Sequence, residues 1–485
     1  MKNDASERIL MILIYKSKVK VSEIILLIAI GFTTALLLVD TLLSAVLGMV
    51  FIIILLRYQK NFFIIFSFFT LITITTGLSA SLRLLVQIVN IFLLFYFFLK
   101  TYQIDHRKYP KIPGSIILLV LLILFSMIVS ILFSDYPWTG IIPILRTSLF
   151  FLIVYLFYSL IKNERELKLY ISVFVITAIS LFFLVIYLFY SANFDIIQFQ
   201  QYLLIDGEQN YIHKNAIGLL FVMAISIILA YYFSQSNSTR KRVIALTIFL
   251  LIIGLVITNA RAAIFSLIVS TSFIFYVLNK KIFYRLLFGI AIIIPFLLIE
   301  PISDIIELYF RLDSIFTGRD LIVEATYQII ADNPIFGTGP AGAKIEMGKN
   351  IPFMIGSSDW FFLNRHIDSI GMGHAHNFYL FFLSELGILG FIASITIPFV
   401  FFKLGYNTLK KIQDPENKYY SIVIGLNAAG LAAFTSGLFE WSGIVSYGMI
   451  SKDLPFWWCF ICLIYINKRF SSEDKEPDRF PLVCE

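Results

Sequence analysis

Apolar runs of about 15 to 22 residues recur from Ile24 to Ile466, separated by short polar links that carry most of the charge. Each run is long enough for a spanning helix. The pattern predicts spans near 24–39, 42–56, 61–76, 84–99, 115–133, 144–160, 169–190, 215–233, 243–258, 262–279, 286–300, 376–402, 419–437 and 456–467. One segment breaks the rhythm. Residues 301–373 are too long for a connector and have internal order. Within it, SDIIELYFRL (303–312) and RDLIVEATYQIIA (319–331) place apolar residues at helical spacing with charges between them, as amphipathic helices on a membrane or over a cavity do. Thr317 and Gly318 precede the second, with Asp320 in its first turn, and Asp332-Asn333-Pro334 stops it. The glycines of the following IFGTGPAG permit tight turns and close backbone approach, a phosphate-cradling loop being one use of them. From Lys344 to Gly373 the pattern is irregular, as a mobile lid would be.

The expected fold is all-α, a polytopic bundle of about 12–14 spans with one large extracytoplasmic loop containing short amphipathic helices. Its divisions are an N-terminal cytoplasmic segment (1–23), transmembrane helices (24–300), the large loop (301–373), C-terminal transmembrane helices (374–467) and a cytoplasmic tail (468–485). Composition agrees: 59% of residues are hydrophobic and only 14% charged, which excludes a soluble domain and a disordered chain. The 50 phenylalanines and 25 tyrosines suit lipid-facing surface and interfacial belts. ERILMILIY has too short an apolar core for a removable signal and reads as a helix lying on the cytoplasmic face. Cys459 and Cys462 share one face of the last span and read as small buried hydrophobes rather than a redox pair.

Charge orients the bundle. Most of the 38 lysines and arginines fall in alternate links, which places those links and both termini in the cytoplasm and residues 301–373 outside. The net charge of +7 then reflects cytoplasmic loops, and no nucleic acid partner is expected. Beyond the large loop the outer side holds only Arg83, Arg146, Lys214, Arg261 and Lys452, each alone at a span end. Isolated outer cations run against the topological rule. They either snorkel or pair with a carboxylate, or they converge on an anionic ligand.

The densest chemistry lies in GHAHNFYLFFLSELGILG (373–390), where two of the chain's five histidines stand two apart at a helix start. A neutral imidazole at a wet membrane edge is a natural base for a hydroxyl proton, although a histidine there can equally cap the helix or bind interfacial water. Continued as a helix, His374 and His376 face different directions, and His376 shares a face with Gly387 while Glu385 lies elsewhere. A carboxylate inside a span is costly, so Glu385 should have an arginine or polar partner from a neighbouring helix. His-x-His without further ligands is a poor metal site, no Walker-type lysine motif is present, and no cofactor is expected.

His376-Asn377, nine residues, then Gly387-Ile388-Leu389-Gly390 resembles the signature of the O-antigen ligase and polysaccharide polymerase superfamily. HKNAIGLL (213–220), TNARAAIFSL (258–267) and GRD…DNPIFGTGPAG (318–342) resemble further stretches of that family, in its order and on the side its topology requires. The match spans roughly residues 210–395; the N-terminal half is alike only in being multi-span. Where a tryptophan is common after Gly318-Arg319-Asp320, this chain has Val323 or Glu324.

The resemblance implies a GT-C-like, metal-independent glycosyltransferase at the outer face of a bacterial cytoplasmic membrane, with a glycan on undecaprenyl diphosphate as donor. Carried over residue by residue, Arg261 and Arg319 clamp the diphosphate and His376 deprotonates the acceptor hydroxyl, with inversion at the anomeric carbon. Asn377, His374, Glu385, Arg365 and Lys214 complete the expected substrate-binding set. The favoured activity is polymerisation of repeat units into capsule, exopolysaccharide or O-antigen, with a glycan acceptor and, as protein partners, a flippase and a chain-length regulator. A ligase passing the glycan to lipid A core, protein or a wall polymer is the alternative. A transporter or flippase of lipid-linked sugars is the third reading, disfavoured because the informative charges sit at the outer boundary rather than at mid-membrane and no repeated halves are seen.

Overall fold

The computed structural model describes Phe68 and residues 80–104, 110–195, 199, 214–297, 319–354 and 374–471. Among the described residues the regular structure is helical, with no strand. In chain order the helices are α1 (Ala80–Leu99, followed by a π-helical turn Lys100–Ile104), α2 (Gly114–Leu132), α3 (Pro137–Leu160), α4 (Glu164–Ser191), α5 (Lys214–Phe233), α6 (Ser238–Thr258), α7 (Arg261–Leu278) and α8 (Lys280–Leu297). Then come α9 (Arg319–Asp332), α10 (Gly342–Met354), α11 (Phe378–Ile412), α12 (Lys418–Ser436) and α13 (Ile450–Arg469).

Eight of these, α2 to α7, α11 and α12, are long and apolar enough to cross a membrane. The protein is a multi-pass membrane protein. They fall on the predicted spans, with four ends displaced by five residues or more: the starts of α3, α4 and α6 and the end of α11. α3 begins at Pro137, seven residues before the predicted 144, because proline at the first helical position is preorganised for helix and loses no hydrogen bond there. α11 runs on to Ile412 because its last turns are a polar extension, with Lys410 and Lys411 against the negative end of the helix. The spans predicted at 24–39, 42–56 and 61–76, the helix predicted at 303–312 and Arg365 lie outside the described residues, Phe68 apart.

α5 and α12 form the centre: 72% and 83% of their spanning windows are buried, against 22% for α6 and α7. In lipid there is little hydrophobic drive between helices, so close packing must supply the contact. α12 provides it with Gly425, Ala428, Ala429, Gly430, Ala432 and Ala433, all buried; Gly425 lets α5 approach the backbone and Gly430 does the same for the Phe401 ring of α11. α13 packs on α3 and α4 through Trp458, stacked on Tyr170 at 4.3 Å and donating its indole N–H to the Tyr170 carbonyl at 2.9 Å. Cys459 and Cys462 are free and buried in the same helix.

Two departures from the sequence reading matter for the site. The first is in the segment expected to be irregular after Lys344. Residues 342–354 form α10, which packs on α9; Ala343 and Met347 of α10 and Ile322, Ala325 and Ile329 of α9 are all buried, and the four-residue spacing of Ala343 and Met347 is a short helical stripe. The second is that α11 is not continuous. Gly387 has φ 63 and ψ −157, a conformation essentially confined to glycine, and the helix breaks there.

The break frees backbone groups in apolar surroundings, where each unsatisfied group costs several kcal/mol. The IFGTGPAG stretch satisfies them. Thr338 N–H donates to Ser384 O at 3.0 Å, Gly339 N–H to Glu385 O at 2.9 Å, and Ile388 N–H to Ile335 O at 3.2 Å. Ser130 of α2 adds a bond to Glu385 O at 2.7 Å. A Cβ on Gly387 would sit 2.1 Å from Ile335 O, and one on Gly337 2.4 Å from Glu385 O. The close approach expected of these glycines is real, but what they approach is the broken helix.

Candidate functional site

Consecutive helices alternate direction, and one end of the bundle collects the starts of α5, α7, α11 and α13 with the ends of α6 and α12. α6 stops at Thr258 because Asn259 adopts a left-handed conformation (φ 47), and α7 starts at Arg261 two residues later. This tight turn sets Arg261 opposite Lys214, the first residue of α5. Lys214, Asn215, Asn259, Arg261, Ala262, Phe265, Phe439 and Glu440 line a cleft of about 290 Å³. Phe265 and Phe439 meet edge to face at 5.6 Å on its apolar side.

The position of the two cations is informative. A helix start carries partial positive charge and favours acids. Neither α5 nor α7 has an acid in its first turn; each instead opens on a base. Helix stability does not ask for that arrangement, whereas an anion does. Arg319, likewise, is the first residue of α9.

The histidine segment lies before α11 rather than inside it. Asn377 is the N-cap: its Oδ1 accepts from Tyr379 N–H at 2.9 Å and Leu380 N–H at 3.0 Å. Its Nδ2 donates to Leu438 O at 3.0 Å, and Phe378 N–H donates to Gly437 O at 2.8 Å, so the segment is stitched to the loop after α12. Asn377 was expected to bind substrate; its amide is engaged at both ends with the protein. His376 has φ 45, an uncommon backbone conformation for a residue with a side chain.

Each histidine then faces a different carboxylate. His376 Nδ1 lies 3.8 Å from Glu440 Oε2, and Glu440 Oε1 accepts from Asn215 Nδ2 at 2.6 Å. His374 Nδ1 lies 3.8 Å from Glu385 Oε1. Both distances are too long for a hydrogen bond, and among the described residues no hydrogen bond reaches His374 Nδ1, His376 Nδ1 or Glu385 Oε1. The carboxylates are buried, Glu385 completely and Glu440 to 4% exposure, while the histidines keep 18% and 19%.

Glu385 is not the partner of His376, as helix geometry suggested; it faces His374 instead, a pairing the sequence reading did not consider. With residues 374–377 lying outside α11, His374 Nδ1 comes within 3.8 Å of Glu385 Oε1. Its expected polar partner is the Tyr447 hydroxyl, from the loop before α13, together with Ala341 N–H at 2.7 Å. The His374 ring lies 3.9 Å from Trp441 and edge-on to Phe381 at 5.5 Å, so it is walled by aromatic rings.

The structure therefore brings Arg261 and Lys214 into one cleft and joins His376 to it through Glu440, while His374 and Glu385 form a neighbouring pair. Arg365 lies outside the described residues, and Arg319 is placed only by its helix. Among the described residues no group of three or more His, Cys, Asp or Glu side chains could hold a metal ion. Sequence reasoning missed Glu440, Asn215, Trp441 and Tyr447. The signal was present for Glu440: it is a lone acid in the apolar stretch LFEWSGIV, and the argument applied to Glu385 applies equally there.

No curated protein matches the chain. Residues 246–395, from within α6 to within α11, match the family model described as O-Antigen ligase. That stretch, about a third of the chain, contains Arg261, Arg319, both histidines, Glu385 and the glycine break, and it supports a relationship to the O-antigen ligase and polysaccharide polymerase superfamily.

Proposed function

We propose that this membrane protein is a glycosyltransferase of the O-antigen ligase type, which takes its glycan from undecaprenyl diphosphate and joins lipid-linked repeat units into a surface polysaccharide. The observation that carries the reading is the cleft, in which Arg261 and Lys214 stand at two helix starts beside the carboxylate that faces His376. The planar guanidinium fork matches phosphate oxygens, and the helix starts add fixed positive potential where a diphosphate leaves. Arg319 at the start of α9 is the second clamp in this reading, by resemblance.

In the transfer step the acceptor hydroxyl oxygen attacks the anomeric carbon, the bond from that carbon to the diphosphate oxygen breaks, and the diphosphate leaves with the electron pair. The hydroxyl proton passes to His376. The sugar–diphosphate bond supplies the driving force, so neither nucleotide nor metal is required.

The site end is the outer face of the bacterial cytoplasmic membrane, with both termini cytoplasmic. The opposite end supports this orientation: it carries Arg240, Lys241 and Arg242 at the start of α6, Lys410 and Lys411 at the end of α11, and Lys468 and Arg469 at the end of α13. The charged cleft lies at the helix ends, which favours an enzyme over a transporter with a mid-membrane site.

The test is purified protein with undecaprenyl-diphosphate repeat units, without nucleotide and with a chelator. A ladder of glycan lengths on a gel is expected. Product only after adding lipid A core or a protein acceptor would replace polymerase by ligase, and no glycosidic product would sink both.

A further inference from the structure

We propose that Glu440 is the positioning residue of the base: it holds the His376 ring through Nδ1, leaving Nε2 to face the acceptor hydroxyl. This rests on the reading of His376 as base and adds a residue outside the segment that matches the family.

The geometry has three parts. His376 Nδ1 is buried and receives no hydrogen bond from the described residues, yet Glu440 Oε2 lies 3.8 Å away. Closing that gap by about 1 Å makes an Nδ1–H···O⁻ hydrogen bond, and such contacts in ligand-free sites commonly tighten only when substrate binds. Glu440 is itself oriented, because Asn215 Nδ2 holds its other oxygen at 2.6 Å. Finally, the two loops are tied close to both residues, by Asn377 Nδ2 to Leu438 O and Phe378 N–H to Gly437 O, so the approach of His376 to Glu440 is set by backbone as well as side chain. The left-handed backbone at His376 is held in place by these ties.

Charge gives a fourth argument. Glu440 lines the same cleft as Lys214 and Arg261, where a carboxylate repels the diphosphate those cations attract. A negative charge there weakens donor binding unless it serves another step. Stabilising the imidazolium formed as His376 takes the proton is such a step, and it also fixes the tautomer with the proton on Nδ1. The competing explanation is that Glu440 merely balances the two cations.

Glu440→Gln separates these explanations, because glutamine keeps the size and an acceptor for Asn215 and removes the charge. The expected result is a kcat lower by about 10- to 100-fold, with the donor KM unchanged or lowered as the repulsion of the diphosphate is removed, as for loss of a charged group that orients a catalytic residue. In a His376→Ala background the same substitution should have no further effect. Carbethoxylation of His376 by diethyl pyrocarbonate, followed by mass spectrometry, should also slow in Glu440→Gln. An equal loss of kcat in the His376→Ala background, a changed donor KM with kcat retained, or an unchanged rate overturns the inference. His376→Ala with near-normal turnover sinks the base reading itself and Glu440 with it. An inactive His376→Ala beside a fully active Glu440→Gln sinks only the Glu440 assignment. If the protein makes no glycosidic product at all, the labelling still decides: equal rates overturn the assignment and slower labelling sustains it.

Discussion

The two ends of the bundle use the same ingredients, carboxylates and cationic or basic side chains, in opposite ways. At the end away from the cleft, Glu164 of α4 is closed upon by Lys168 at 2.9 Å, Lys418 of α12 at 2.5 Å and Arg469 of α13 at 3.1 Å. The three bases are 63%, 52% and 40% exposed, so water already solvates them and the cluster acts as a weak clamp on three helices. At the cleft end the carboxylates are buried and their histidines stop short at 3.8 Å. An ion cluster that is closed and wet has its electrostatics satisfied. One that is open and dry keeps an unmet interaction in a low dielectric, where it is available to a charge that develops during reaction.

The comparison breaks most decisively at His376. His376→Ala should lower glycosyl transfer by about 10³-fold, or roughly 4 kcal/mol of transition-state stabilisation, with membrane insertion unchanged. Near-normal product from correctly inserted protein would mean the open pair is only structural. Gly387→Ala comes next, since alanine is strained at φ 63 and its Cβ would meet Ile335 O at 2.1 Å. About 3 kcal/mol of stability should be lost, seen as a lower unfolding temperature in detergent and as protease cleavage within residues 335–341. An unchanged melting curve would show that the loop does not depend on the break.

Arg261→Lys should reduce transfer by about 30-fold, or roughly 2 kcal/mol, mainly through donor use, because a point charge cannot replace the bidentate fork. Equal donor KM and kcat would remove the clamp. The smallest effect belongs to the opposite end. Glu164→Gln should cost below about 1 kcal/mol, shrink further in 0.5 M salt and leave transfer intact. A large loss of activity there would erase the contrast between the ends.

The spans were legible because a membrane helix announces itself in one dimension, and α2 to α7 follow the apolar runs closely. The isolated cations were legible for the converse reason: Lys214 and Arg261 sit where neither topology nor the helix macrodipole favours them. What escaped was pairing across the fold. Asn215 and Glu440 are separated by 225 positions, and nothing local in either neighbourhood names the other. The break at Gly387 escaped for a related reason. A Gly-x-x-Gly pair in an apolar helix reads as small-residue packing until a second segment is known to fill the gap, and the approach of His374 to Glu385 went unseen with it.

The broken helix also orders events during synthesis. Thr338 leaves the ribosome 46 residues ahead of Ser384, its acceptor, which at about 5–20 residues per second is a wait of several seconds. Through that interval the Ile335–Gly339 stretch has no docking surface, and Ser384 to Ile388 can enter the bilayer as ordinary helix with every backbone group satisfied internally. The later exchange of those internal bonds for bonds to the loop also joins Glu385 to Ala341, and Tyr447 can reach Glu385 only after it, too, has been made. Assembly of the reactive end is thereby deferred until nearly the whole chain is in the membrane, which keeps an incomplete chain from holding a finished site.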